Sequence, residues 1–123
     1  MAQEASLTIK ITGITPPHGL IQLALYNNPD DFPKEGREYK VLKIQACGKT
    51  ISCTINNLPP GKYAIALFHD LNQDGICNKN ILGFPTEGYG FSNNIKPKLG
   101  APPFRKVAFE SNQSVFLEIS MIY

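Results

Sequence analysis

The sequence predicts an all-β protein, an antiparallel β-sandwich of about seven strands. Three observations carry that expectation. Apolar residues recur with period two in short runs. Ten glycines and ten prolines punctuate the 123 residues. No stretch combines a helical apolar period with capping residues at its ends. The length suits one domain, residues 1–123, large enough to bury a core without staples.

The elements follow in order. "LTIKI" (7–11) alternates apolar and polar side chains, the pattern of a strand with one buried face. "GLIQLALY" (19–26) is apolar on one side and mixed on the other. The connection "NNPDDFPKEGRE" (27–38) has room for a short helical turn. "YKVLKIQA" (39–46) and "TISCTI" (50–55) flank Gly48-Lys49, a hairpin signal. "KYAIALFH" (62–69) is apolar on both faces, as a central strand covered on both sides requires. Residues 70–105 form a long connection broken by Gly83, Pro85, Gly88, Gly90, Pro97, Gly100, Pro102 and Pro103. So long a loop is uncommon in a compact domain, which predicts a short strand or bulged edge around Tyr89–Ser92. "KVAFE" (106–110) and "SVFLEISMI" (114–122) close the chain as strands.

Charge limits the partners. Twelve basic and ten acidic residues give a net +2, scattered without a stripe, so nothing favours nucleic acid or an anionic membrane surface. No apolar run approaches the roughly 18 residues that span a bilayer, which argues against membrane insertion. The opening "MAQEASLTIK" has no basic n-region and no apolar h-region. Read as the native start, it predicts a cytoplasmic protein. Read as a mature end behind a removed leader, it predicts an exported one.

Three cysteines leave one over. Cys47 and Cys53 flank "GKTIS" and would face each other across a five-residue loop. A two-residue turn at Gly48-Lys49 would instead pair Cys53 with Ile44, leaving two buried free thiols. Cys77 stands alone, and the absence of a CxxC pattern argues against a zinc knuckle.

The most informative stretch is "HDLNQDGICNKN" (69–80). Asp70, Asn72 and Asp74 occupy positions 1, 3 and 5 of a D-x-N-x-D-G loop. Ile76 offers a backbone carbonyl at position 7 and Asn78 an amide oxygen at position 9. A hard cation such as calcium takes six to eight oxygens from a flexible loop, and alternate side chains in a tight turn converge on one point. Position 12 is Ile81, where an EF-hand carries a bidentate Glu, and no helices flank the loop. The missing carboxylate points to weak binding or to replacement from elsewhere, with Glu87 the nearest candidate. The bland alternative is a polar turn held by Asx-type hydrogen bonds.

Enzyme signals are sparse. His18 lies in a turn, and His69 ends a strand beside Asp70. A base built from His69, Asp70 and Glu87 is the least supported reading, because no nucleophile elbow or phosphate-binding glycine motif accompanies it. A zinc site from His69, Cys77 and a carboxylate has suitable ligand types without supporting spacing. Phe84, Tyr89 and Phe91, set among glycines and amides, form either a binding surface or a cap over an open end of the sandwich.

These motifs resemble a family. "LPPGKYAIALFHDLNQDGICNKNILGFPTEGYGFSNN" (58–94), "GLIQLALYNNPDDFP" (19–33) and "PPFRKVAF" (102–109) resemble the bacterial family called domain of unknown function 2141, over roughly residues 7–122. The resemblance implies a β-sandwich of the transthyretin or carboxypeptidase-regulatory type, with immunoglobulin-like topology. It implies export to the periplasm or beyond, with no established activity. It also implies oxygen-bearing residues at Asp70, Asn72, Asp74, Asn78 and Asn80. Asn78 stands where Asp is more usual, which removes one charge, and Cys77 replaces an aliphatic residue. The expected function is therefore an exported module, not an enzyme, that binds calcium structurally at Asp70–Asn78 and contacts a protein or glycan partner. The alternative is a metal-free structural or interaction domain.

Overall fold

The computed structural model describes residues 5–15, 19–34, 36–70, 88–96, 102–111 and 113–122. Eight strands, where about seven were expected, are present among the described residues: β1 (Ala5–Thr12), β2 (Leu20–Tyr26), β3 (Lys40–Gln45), β4 (Ile51–Leu58), β5 (Lys62–Asp70), β6 (Tyr89–Phe91), β7 (Phe109–Glu110) and β8 (Val115–Ser120). They form two sheets. One has the order β4-β1-β8, and the other runs β3-β2-β5-β6 with β7 also paired to β5. The expected strand near Tyr89 is β6.

The period-two pattern places the core between the sheets. Leu7, Ile9 and Ile11 of β1 face inward with Ile51 and Ile55 of β4 and Ile119 of β8. Ile21, Leu23 and Leu25 of β2 and Tyr63, Ile65 and Leu67 of β5 meet them from the other sheet. Each such side chain contributes about 1.5–3 kcal/mol when fully removed from water. Strand β5 is apolar on its outer face as well, because a second cluster covers that side. There Ala24, Tyr26 and Ala64 lie under Phe32, Phe91 and Val107. Phe32 makes edge-to-face contacts with Tyr26, Phe91 and Phe104 at centroid separations of 5.2, 6.1 and 6.0 Å. The "DFP", "GFSNN" and "PPFRKVAF" stretches, far apart in sequence, meet in this layer.

The expected hairpin, the expected burial of Cys47 and the expected strand at residues 106–107 are corrected, and the antiparallel sandwich is refined. Gly48-Lys49 does not close a hairpin: β3 pairs with β2 and β4 with β1, so the chain changes sheets there. Cys53 of β4 consequently lies opposite Ile9 of β1 and not Ile44, and both thiols are free, with Cys47 exposed and not buried. The sandwich is not wholly antiparallel, since β1 and β8 run parallel, Leu7 opposite Val115 through Thr12 opposite Ser120. Finally, residues 106–107 are not strand. Phe104–Val107 form one helical turn, α1, before β7. Val107 turns inward on α1 and fills the outer cluster, which a period-two reading cannot anticipate. Across residues 27–34 the chain turns without forming a helix, with Asp31 N–H donating to Asn28 and Lys34 N–H to Asp31.

Candidate functional site

The region around Asp70 is built from the ends of two neighbouring strands. Strand β5 runs outward through Phe68, His69 and Asp70 beside β2, with Leu20 opposite Asp70 and Gln22 opposite Phe68. His69 N–H donates to the Gly88 carbonyl at 2.8 Å, and Phe68 pairs with Tyr89. The chain therefore leaves at Asp70 and returns at Gly88 side by side. Asp70 and Gly88 are thereby held at one end of the same sheet. Tyr89 in turn exchanges backbone hydrogen bonds with Ile122, at 2.9 and 2.6 Å, tying this edge to the end of β8.

Consecutive strand residues point to opposite faces, and this separates His69 from Asp70. His69 continues the inward row of Ile65 and Leu67 and is fully buried. Asp70 continues the outward row of Ala64, Ala66 and Phe68 and is only 2% exposed. The two are adjacent in sequence but do not share a face. Asn72, Asp74, Ile76, Asn78 and Glu87 lie outside the described residues, as do Cys77, His18 and Phe84. Among the described residues, no three of His, Cys, Asp and Glu gather as a metal-ligand group.

On the outward face, β2 places Gln22 in line with Ala24 and Tyr26, one position diagonal to Asp70. Gln22 is 8% exposed, and its buried Oε1 has no hydrogen-bond partner. A buried amide oxygen in that state is unusual in a folded protein. Sequence reasoning passed over Gln22, a single polar residue in an apolar strand. That isolation was the available signal.

The aromatic segment after Gly88 has a structural role. Tyr89 and Phe91 lie in contact, 5.9 Å between centroids, on the outer face of the sheet, with Phe91 buried against Phe32. They cover a sheet face and not an open end of the sandwich. The "SNN" that follows is a clasp. Ser92 Oγ accepts from Ile65 N–H at 3.0 Å and donates to the Val107 carbonyl at 2.6 Å. Asn93 Nδ2 donates to the carbonyls of Lys106 and Ala108. Asn94 uses its amide as a strand would, donating to Glu118 O and accepting from Ser120 N–H on β8. Asn93 and Asn94 have φ of 63° and 51°, a left-handed conformation that Asn tolerates better than most residues. A second tie lies in "LPPGKY", where Tyr63 Oη donates to the Pro59 carbonyl at 2.6 Å and fixes the entry to β5.

Away from this region, Asn27, Pro29, Lys62, Phe104, Arg105, Ala108, Phe109 and Glu110 line an open groove of about 580 Å³. No helix is long and apolar enough to cross a membrane among the described residues.

A family model described as "Uncharacterized protein conserved in bacteria (DUF2141)" matches residues 9–116. No curated protein and no solved structure matches the chain.

Proposed function

Because the chain belongs to this uncharacterised bacterial family, we propose that it is an exported β-sandwich module whose Asp70–Asn78 loop binds calcium structurally. The observation that carries the reading is the placement of Asp70. It is buried at the end of the central strand and opens the D-x-N-x-D-G spacing beside the point where the chain returns at Gly88. Elsewhere in the motif, Tyr89, Phe91, Ser92, Asn93, Asn94 and Tyr63 hold the fold together.

The donors fit the ion. Asp70, Asn72, Asp74, Asn78 and the Ile76 carbonyl present only oxygen, which suits calcium over zinc or copper. Calcium bound there would fix the 71–87 segment, and the surface so formed would meet a protein or glycan partner outside the cytoplasm. With only two carboxylates, the affinity belongs at the weak end, roughly 0.1–1 mM, useful where calcium is millimolar.

Melting temperature measured in calcium and in chelator tests this. With a Kd of about 0.5 mM and about 10 mM calcium, native-state binding adds about 1.8 kcal/mol. That raises Tm by roughly 5–10 °C in a domain of this size. Asp74→Ala removes the calcium-dependent part, and magnesium substitutes poorly because it demands a tighter octahedral shell. Equal Tm in calcium and chelator, within about a degree, would leave the stretch as a polar turn.

A further inference from the structure

We infer that the free edge of β4 pairs with β4 of a second copy of this chain, antiparallel about a two-fold axis at Thr54. The pairing is independent of the Asp70 loop. An open sheet edge exposes unpaired backbone groups, and proteins guard such edges with charge, proline, brevity or a covering segment. Among the described residues the other edges are guarded. Asn94 occupies the free side of β8 through the Glu118 carbonyl and the Ser120 N–H. Strand β3 carries the exposed Lys40 and Lys43. Strand β6 is bridged to the end of β8 at Tyr89 and Ile122, and β7 is only two residues long. Strand β4 ends its sheet with β1 on one side only. Its eight residues, "ISCTINNL", contain no charge and no proline, and Ser52, Thr54 and Asn56 are exposed.

The register fixes which groups point outward. Met121 N–H bonds to the Thr12 carbonyl on the β8 side of β1, so alternation turns the backbone of Ile9 and Ile11 toward Cys53 and Ile51 of β4. The backbone groups of Ser52, Thr54 and Asn56 therefore face away from β1. A register slip between Ala5 and Leu7, with Asn57 at a φ of 60°, ends the regular edge at Asn56. Thr54 is the middle of what remains. An axis there sets Thr54 opposite Thr54 and Ser52 opposite Asn56. The sheet already uses both pair types. The Thr8 and Thr54 hydroxyls lie 3.3 Å apart, and Ser6 Oγ donates to Asn56 Oδ1 at 3.1 Å. The same axis keeps Ile51, Cys53 and Ile55 on the core side in both copies. No charge meets its like across the axis. One strand supplies both members of every pair, which favours a second copy over a foreign strand.

The test is sedimentation velocity of the wild type and Thr54→Lys, with diamide oxidation of Thr54→Cys and Ser52→Cys in a chain whose Cys47 and Cys77 are changed to serine. One strand pair buries less than a standard interface, so the expected Kd is on the order of 100 μM. The wild type is expected to pass from monomer to dimer between about 10 μM and about 1 mM. Thr54→Lys is expected to stay monomeric with its Tm unchanged, since the exposed side chain leaves the fold alone and sets like charges face to face. Oxidised Thr54→Cys is expected to form a covalent dimer, because directly opposite residues of a bonded pair stand about 5.5 Å apart, within disulfide reach. Ser52→Cys is expected to form none, its two copies lying about 14 Å apart along the strands. A dimer that persists in Thr54→Lys, or that cross-links faster through Ser52→Cys than through Thr54→Cys, overturns this pairing. A wild type still monomeric at about 1 mM overturns self-pairing and leaves the edge to an extended segment of another protein. Should Thr54→Lys not fold, the two cysteine variants decide the matter by themselves.

Discussion

The Ser92 hydroxyl donates to the Val107 carbonyl at 2.6 Å, joining a turn after β6 to the last residue of α1. The same oxygen accepts the Ile65 N–H of β5 at 3.0 Å, so one buried side chain ties three segments together. Removing it strands a donor and an acceptor away from water. Ser92→Ala is expected to destabilise the protein by about 2–3 kcal/mol, because each buried group left unpaired carries its own desolvation cost. Urea unfolding measures it, and a loss below about 0.5 kcal/mol would show that water reaches both groups.

Gly90 is needed for space and not for a left-handed backbone. A Cβ there would lie 3.1 Å from Ile119 Cγ2 and 3.3 Å from the Ser120 carbonyl oxygen. The second contact is with strand backbone, which cannot step aside. Gly90→Ala is expected to cost about 1–3 kcal/mol by overpacking between β6 and β8. An unchanged denaturation midpoint would contradict this close approach of β6 and β8.

Phe91 anchors the outer cluster between Phe32 and Tyr89. Phe91→Ala is expected to cost about 3–5 kcal/mol, the usual range for emptying a buried aromatic site. A change of a few tenths of a kcal/mol would identify Phe91 as a surface residue and restore the binding-surface reading of the segment.

The two described thiols should differ in reactivity. Cys47 is exposed, while Cys53 packs against the core and burial pushes its thiol above the ordinary value. The thiolate is the reactive form, so iodoacetamide at mildly alkaline pH should label Cys47 first and Cys53 slowly. The same shift sets a sign for stability. A raised folded-state value contributes fully below the unfolded thiol's pKa and is lost as pH rises through the folded value, so any Cys53 contribution fades only in alkali. Equal labelling of both cysteines in the folded protein would contradict the packing of β4 on β1.

The sequence by itself determined where β1 to β5 and β8 lie, and which face of β1 is buried. Steric alternation is local, and "LTIKI" or "KYAIALFH" carries it without help from the rest of the chain. It also determined a stretch rich in oxygen donors after β5, because ligand spacing in a loop is a one-dimensional pattern. Tertiary structure decided everything that depends on distant partners. Gly48-Lys49 has hairpin chemistry, yet β3 and β4 find better apolar surface in different sheets. The parallel pairing of β1 with β8 joins opposite ends of the chain and leaves no local mark. Val107 looks like a strand residue and is drawn onto a helical turn by the aromatic cluster it fills. His69 and Asp70 read as a pair and are separated by the pleat of β5. Gln22 reads as a stray polar residue in β2, and only the register beside β5 sets it diagonal to Asp70. Local sterics decide faces, and the burial of those faces against remote partners decides what meets what.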